Sequence, residues 1–289
     1  KGKCRACEKF CPTKAINFEE EEQKIHLNVG AIVLAPGFAP YDPTRYQTYK
    51  YAKYPNVVTS MEFERILSAT GPYQGHLQRP SDHKAPKKIA WLQCIGSRDV
   101  HHCDHGYCSS VCCMYAIKEA VIAKEHAGKD LECTIFYMDM RTHGKDFERY
   151  YNAARETHGA RFIRSRVPTI EWVQESGDVL IPYVNEKGEV VEERFDMAVL
   201  SVGLEIAPEA VGLAKKLNID LTEGQFCKTE TFEPVKTSRE GIFVCGAFQG
   251  PKDIPQSVIE ASSAAAEAGA LVRRARNSLT KQKESPPAR

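Results

Sequence analysis

The sequence predicts an α/β fold of the Rossmann type, in which parallel strands are flanked by helices. Three observations predict it. Between residues 85 and 195, apolar strand-like runs alternate with helical periodicities in a βαβ rhythm. Residues 25–37, I-H-L-N-V-G-A-I-V-L-A-P-G, alternate, become continuously apolar and stop at Pro36-Gly37, as a strand does when it enters a core and ends in a tight turn. Near the carboxyl end, G-I-F-V-C-G-A-F-Q-G-P-K-D-I (241–254) reads as a strand and a turn leading into an alanine-rich helix over 255–272.

Composition narrows the class. The 289 residues suffice for two moderate domains with real cores. Lys and Arg number 39 against 38 Asp and Glu, so no global field points to nucleic acid or an anionic membrane. No apolar run approaches the roughly 18–20 residues of a membrane span. The chain begins Lys1-Gly-Lys-Cys with no signal-peptide pattern. A soluble, cytoplasmic protein is expected, at most peripheral to a membrane complex. Its eleven cysteines then favour metal or redox chemistry in a reducing compartment over a disulfide scaffold.

Five of those cysteines fall between Cys94 and Cys113. Cys94, Cys108, Cys112 and Cys113 form a lone thiol, a pair one helical turn apart and an adjacent partner, a set that suits a soft metal or an iron–sulfur cluster. The strand before Cys94 and the helix after Cys108, with Val111, Met114, Ile117, Val121 and Ile122 on its apolar positions, should bring the sulfurs to one point. Single cysteines are often small buried hydrophobes, but five in twenty residues are hard to read so. Two other readings stay open after the cluster: a redox dithiol, whose usual spacing is C-x-x-C, and structural zinc, which usually takes two C-x2-C knuckles.

In chain order, residues 4–12 read C-R-A-C-E-K-F-C-P, followed by Thr13-Lys-Ala-Ile16. Cys4, Cys7 and Cys11 in C-x2-C-x3-C-P resemble the second half of a bacterial ferredoxin motif. A cubane needs a fourth ligand, which is expected upstream. Glu19–Glu22 read as a solvated acidic turn. Residues 56–68 predict a strand and a helix capped at Ser60, with Glu62 and Glu64 in its first turn. Residues 73–88 read as a linker. Strands follow at 87–93, 131–138 and 160–164, with a helix at 145–157. The first strand's turn, C-I-G-S-R-D, lacks the G-x-G-x-x-G that admits a pyrophosphate, so ordinary NAD(P)H binding is not expected here. His101, His102, His105 and His143 are read as loop residues outside the site, with Cys103 as an accessory thiol. Antiparallel strands are predicted near 167–173, 179–184 and 190–201, the last running into Gly203, and a short helix at 207–217.

Flavoproteins of the thioredoxin reductase type close their first FAD segment with a strand ending A-T-G or A-P-G, and carry T-x-x-x-G-I-F-A-x-G-D before the last helix. Thr237, Gly241, Ile242, Phe243 and Gly246 match that pattern, and Ala247 stands in place of the aspartate that bonds the ribityl chain. Asp253 or a backbone amide is the expected substitute.

Taken together, C-I-G-S-R-D, Y-C-S-S-V-C-C-M-Y-A-I-K, I-F-Y-M-D-M-R and G-A-F-Q-G-P-K-D-I-P-Q-S-V resemble the A subunit of heterodisulfide reductase and its relatives in quinone-interacting oxidoreductase complexes, from Cys4 to about Val272. The resemblance implies a thioredoxin-reductase-like flavoprotein with two dinucleotide-binding domains and a ferredoxin insertion. It implies FAD and [4Fe-4S] clusters as cofactors, with Cys94, Cys108, Cys112 and Cys113 holding a cluster near the flavin. It implies FAD contacts at Ala35, Pro36, Gly37, Gly203, Gly246, Ala247, Asp253 and Ile254. Lys118 is a candidate cation aimed at the flavin, and Glu64, whose default role is in the first turn of its helix, is a second candidate near the flavin.

The corresponding segments are 1–24, a ferredoxin-like remnant; 25–84, the end of the first FAD segment; 85–195, the nucleotide-binding-like domain; 196–276, the second FAD segment; and 277–289, a disordered tail. The first FAD strand and its glycine fingerprint are absent, as expected of a piece that begins after them. Implied partners are the other subunits of a heterodisulfide-reductase-like or hydrogenase- or quinone-oxidoreductase-like complex, and ferredoxin-type carriers. The function this implies is electron relay, including bifurcation. The alternatives are a pyridine nucleotide-disulfide oxidoreductase using a cysteine pair and a zinc-bound structural scaffold.

Overall fold

The computed structural model describes residues 4–128 and 130–276. The tail expected at 277–289 lies outside the described residues. The chain forms two compact units, residues 1–30 and 31–289.

In the first unit, helix α1 (Ala6–Phe10) starts after Arg5, which adopts a left-handed conformation, and buries no side chain. Arg5 pairs with Glu19. The alternating stretch expected to open a strand at residue 25 forms none. Ile25, Leu27 and Val29 are exposed, and only Ile32–Leu34 becomes strand β1 in the second unit. Alternation marks a strand only where a neighbour supplies its hydrogen bonds.

The second unit continues with β2 (Ala39–Pro40), β3 (Val57–Thr59), α2 (Ser60–Leu67), β4 (Lys88–Ile95), α3 (Cys112–Ala127), β5 (Glu132–Tyr137), α4 (Phe147–Glu156) and β6 (Arg161–Arg164). Then come β7 (Glu171–Val173), β8 (Asp178–Val184), β9 (Val190–Phe195), β10 (Met197–Val202), β11 (Leu204–Glu205), α5 (Pro208–Leu217), β12 (Ile242–Val244) and α6 (Ile254–Arg276).

The main sheet is parallel, in the order β3-β10-β4-β5-β6. Its strands are covered on both faces, which is why β10 reads as an unbroken run, M-A-V-L-S-V, buried at every position. Side chains alternate across it. Ile89, Trp91 and Val199 pack on α2 and α3 through Phe63, Ile66, Ala116, Ile117 and Ala120. Ala90, Leu92, Ala198 and Leu200 pack on the antiparallel sheet β7-β8-β9 through Val179, Ile181 and Phe195. The result is three layers: helices, parallel sheet, antiparallel sheet.

This sheet runs from residue 57 to 202, wider than the expected 85–195. The stretch 190–201 is two strands, because Asp196 breaks it. Its carboxylate accepts from the Lys87 and Lys88 amides at 2.9 and 2.8 Å, and β10 crosses to pair with β4. The cap of α2 is Thr59 rather than Ser60: its hydroxyl accepts from the Glu62 amide while the Glu62 carboxylate accepts from the Thr59 amide at 2.7 Å, a capping box.

A second layer is built on the parallel pair β1-β12. Leu34, Ile242 and Val244 pack on α5 and its neighbours through Ala210, Ala214 and Phe226. Phe243 and Cys245 pack with Ala264 of α6.

Candidate functional site

From β4 the chain proceeds to β5 and β6 on one side, whereas β10 pairs on the other. The carboxyl ends of β4 and β10 therefore mark a reversal of strand order, where open parallel sheets place their ligands. The cysteine loop occupies this point. Register pairs Leu92 with Leu200 and Ile95 with Val202, so Gln93 and Cys94 together face the single residue Ser201. This is a β-bulge, the device that re-aims a side chain at the end of a ladder. Cys94, Gly96 and Arg98 all take positive φ, at 62°, 74° and 55°, and turn the chain sharply out of the sheet.

Two close approaches seat the loop. A side chain at Gly96 would collide with the Tyr41 ring. One at Gly203 would lie against the Ser97 hydroxyl and 2.5 Å from that of Ser109. Those hydroxyls bond each other at 2.6 Å, and Ser109 Oγ accepts from the Leu204 amide at 2.9 Å. The pair joins the two limbs of the loop, which are further held by Arg98 N donating to Tyr107 O and Asp99 N to His105 O, both at 2.9 Å. Residues 94–97 are thus held against 108–112.

The helix expected after Cys108 begins at Cys112. Cys112 and Cys113 occupy its first turn, where unpaired amides favour negative sulfur. Both are 7% exposed, and Cys94 and Cys108 are half-buried. Amide donors already point at two of the sulfurs: Ser110 N to Cys108 Sγ at 3.3 Å and Arg141 N to Cys113 Sγ at 3.5 Å. Cys112 Sγ approaches Val202 O at 3.7 Å, and Tyr115 Oη donates to the same carbonyl at 2.7 Å.

Burial, then the neighbouring Cys113, push Cys94 up to about 11, and Arg98 draws it partly back. Burial drives Cys112 far above its ordinary value, opposed by the Tyr115 hydroxyl and reinforced by Cys94, Cys113 and Cys108. Burial also raises Cys113, against the Arg141 amide and with Cys108. These neighbours oppose loss of the protons, and a bound cation would offset the repulsion between the resulting thiolates. Arg98 and Arg141 both pair with Asp139, which follows β5.

Among the described residues, no three of His, Cys, Asp or Glu are placed to hold a single metal ion. A cubane makes a different demand, because its four thiolates bind separate irons at alternate corners. Four buried or half-buried thiols, a helix N-terminus and amides on sulfur fit such a group in their chemistry.

Five of the eight expected FAD contacts fall at the carboxyl end of the β1-β12 pair. Ala35, Pro36 and Gly37 follow β1, Gly246 and Ala247 follow β12, and Cys245 N donates to Leu34 O at 3.1 Å across the pair. The α6 amino end comes next. Asp253 precedes α6, which begins at Ile254, and one of its carboxylate oxygens, Oδ1, accepts from the Gln256 amide at 2.9 Å as a helix cap. Lys252, buried and paired with Glu260 and Gln249, was not anticipated. Gly203 lies at the end of β10, where its carbonyl accepts from Tyr41 N at 2.9 Å. Lys118 Nζ meets Glu64 at 2.8 Å on the α2–α3 face, both carrying substantial exposure.

In the first unit, Cys4 and Cys7 are exposed, and the Thr13 hydroxyl, then the Ala15 amide, hold the Cys11 thiol below its ordinary value. His102 pairs with Asp99, His105 with the Gly96 carbonyl and His143 with Ser110. Cys103 donates to Asp99 O at 3.0 Å. Cys133, Cys227 and Cys245 are packed in cores. Sequence reasoning missed Gln93, Arg98, Asp139, Arg141, Ser201 and the buried carboxyl of Glu119, which accepts from Trp91 Nε1 at 2.8 Å. The available signal was position, since several of these follow or end parallel strands.

No family model matches the chain. The iron-sulfur A subunit of CoB–CoM heterodisulfide reductase from Methanocaldococcus jannaschii is 41% identical over 266 residues, 91% of this chain and 40% of that protein. One of the corresponding iron-sulfur A subunits of Methanopyrus kandleri is 43% identical over 257 residues, 88% of this chain and 39% of its own length. The A subunit of H2:CoB-CoM heterodisulfide,ferredoxin reductase from Methanothermobacter thermautotrophicus is 39% identical over 275 residues, 92% and 40% of the two chains. Among solved structures, thioredoxin reductase of Lactococcus lactis superposes with a TM-score of 0.52 at 19% identity, covering 84% of this chain and 66% of that one. The fold is therefore thioredoxin-reductase-like. Among the described residues, no helix is long and apolar enough to cross a membrane. By sequence, the chain is similar over about 90% of its length to the A subunits of heterodisulfide reductases, and it spans about 40% of theirs.

Proposed function

We propose that this chain is an electron-relay element of a heterodisulfide-reductase-like oxidoreductase, with a [4Fe-4S] cluster on Cys94, Cys108, Cys112 and Cys113 beside an FAD site. The observation that carries this reading is the position of Cys94 at the bulge ending β4 and of Cys112 and Cys113 in the first turn of α3, at the strand-order reversal where a dinucleotide-binding domain would seat a pyrophosphate. When bound, FAD would exchange electrons in pairs or singly and the cluster singly. The turns at Ala35–Gly37 and Gly246–Ala247 and the amino end of α6 would hold the flavin. The positive end of that helix favours negative charge.

Lys118, anchored by Glu64, would supply a cation to the reduced flavin. Replacing it by Ala should lower the flavin midpoint potential, and an unchanged potential would remove this assignment. Cys4, Cys7 and Cys11 would provide three ligands of a second, ferredoxin-type cluster. Other subunits of the complex and ferredoxin-type carriers would deliver and accept the electrons, with bifurcation as the most specific form of the reading and the cytoplasm as its setting.

The test is anaerobic iron, acid-labile sulfide, zinc and flavin content, with EPR after reduction, on the protein and a Cys112→Ser, Cys113→Ser variant. About four irons and four sulfides lost in the variant are expected. Zinc without iron, or NAD(P)H oxidation with a titratable dithiol and no iron, would overturn the reading.

A further inference from the structure

Among the described residues, the buried side-chain polar atoms without a hydrogen-bond partner are three: both amide atoms of Gln93 and the Ser201 hydroxyl. They lie at one place. Gln93 precedes Cys94 in the β4 bulge, and Ser201 is the β10 residue that this bulge faces. Buried polar groups are almost always satisfied, so the two orphaned donors at one bulge, Gln93 Nε2 and Ser201 Oγ, point to an absent acceptor. The bulge belongs to the four-thiol centre, whose sulfurs already receive the Ser110 and Arg141 amides.

Resting on the cluster reading above, we infer that Gln93 and Ser201 complete this centre from the sheet side, donating N–H and O–H hydrogen bonds to sulfur of the bound cluster. A donor to cluster sulfur stabilises the reduced form, which carries the extra negative charge, and so raises the reduction potential. A carboxylate here would repel the cluster and an aliphatic side chain would give it nothing. The bulge therefore aims Cys94 and also brings two donors beside it.

The experiment is an EPR-monitored redox titration of the reconstituted protein, with iron and sulfide counted on each sample, for the native chain, Ser201→Ala, Ser201→Thr and Gln93→Met. Ser201→Ala and Gln93→Met should each keep the cluster and lower its midpoint potential. The expected size is about a tenfold change in the reduction equilibrium, which is about 59 mV for one electron. Ser201→Thr, which retains the hydroxyl, should restore the native potential. If Gln93→Met does not fold, the Ser201 pair decides. Native protein without iron overturns the cluster reading itself. A native cluster whose potential is the same in Ser201→Ala, as when the orphaned atoms bind only water, overturns this inference alone.

Discussion

Gly203→Ala tests whether the cysteine loop is seated by close approach. The new methyl would lie against Ser97 Oγ, 2.5 Å from Ser109 Oγ and 3.2 Å from the Gly96 carbonyl. Ser109 cannot yield freely, because its hydroxyl bonds Ser97 at 2.6 Å and the Leu204 amide at 2.9 Å. Overpacking of this kind costs about 1–3 kcal/mol, and losing a buried hydrogen bond adds about 1 kcal/mol. The expected destabilisation is therefore about 2–4 kcal/mol, read as a lower urea midpoint with an unchanged slope. Iron incorporation should fall as well, since residues 94–97 and 108–112 are no longer held together. The cycle is closed in a Ser97→Ala, Ser109→Ala background, which removes both hydroxyls and leaves the methyl the Gly96 carbonyl, so that the same substitution should cost under about 1 kcal/mol. Equal costs in both backgrounds, or no cost in the native one, would refute the steric argument.

Burial holds the Glu119 carboxyl well above its ordinary value of 4.5, opposed by the Trp91 hydrogen bond. Below that value both states are protonated. Above it the unfolded chain releases the proton first, so stability falls as pH rises until the folded-state pKa is passed, by up to about 1.4 kcal/mol per pH unit. Glu119→Gln keeps an acceptor for Trp91 and should remove this slope, which urea unfolding at several pH values from 5 upward will show; parallel curves for the two proteins would contradict it. Arg79, with its side chain 5% exposed, contacts Asp82, Asp178 and Asp196. Arg79→Ala should destabilise by about 3–5 kcal/mol, because removing one partner leaves partly buried carboxylates facing one another. A loss below about 1 kcal/mol in urea unfolding would mean that water screens them.

The sequence alone determined the α/β class and most of its elements, since apolar periodicity reports the local backbone period directly. It also marked the cysteine set, since five thiols in twenty residues have few physical uses, and the departures at C-I-G-S-R-D and Ala247. It misread residues 25–30, where alternation met no neighbouring strand, and residues 190–201, where Asp196 diverts the chain into another sheet. Only the tertiary structure decided that β10 lies beside β4, that a bulge sets Gln93 and Cys94 opposite Ser201, and that Arg98 and Arg141 share Asp139. These relations join residues up to about a hundred positions apart, and register, which sets which side chains face each other, is a property of paired strands that no single stretch of sequence contains.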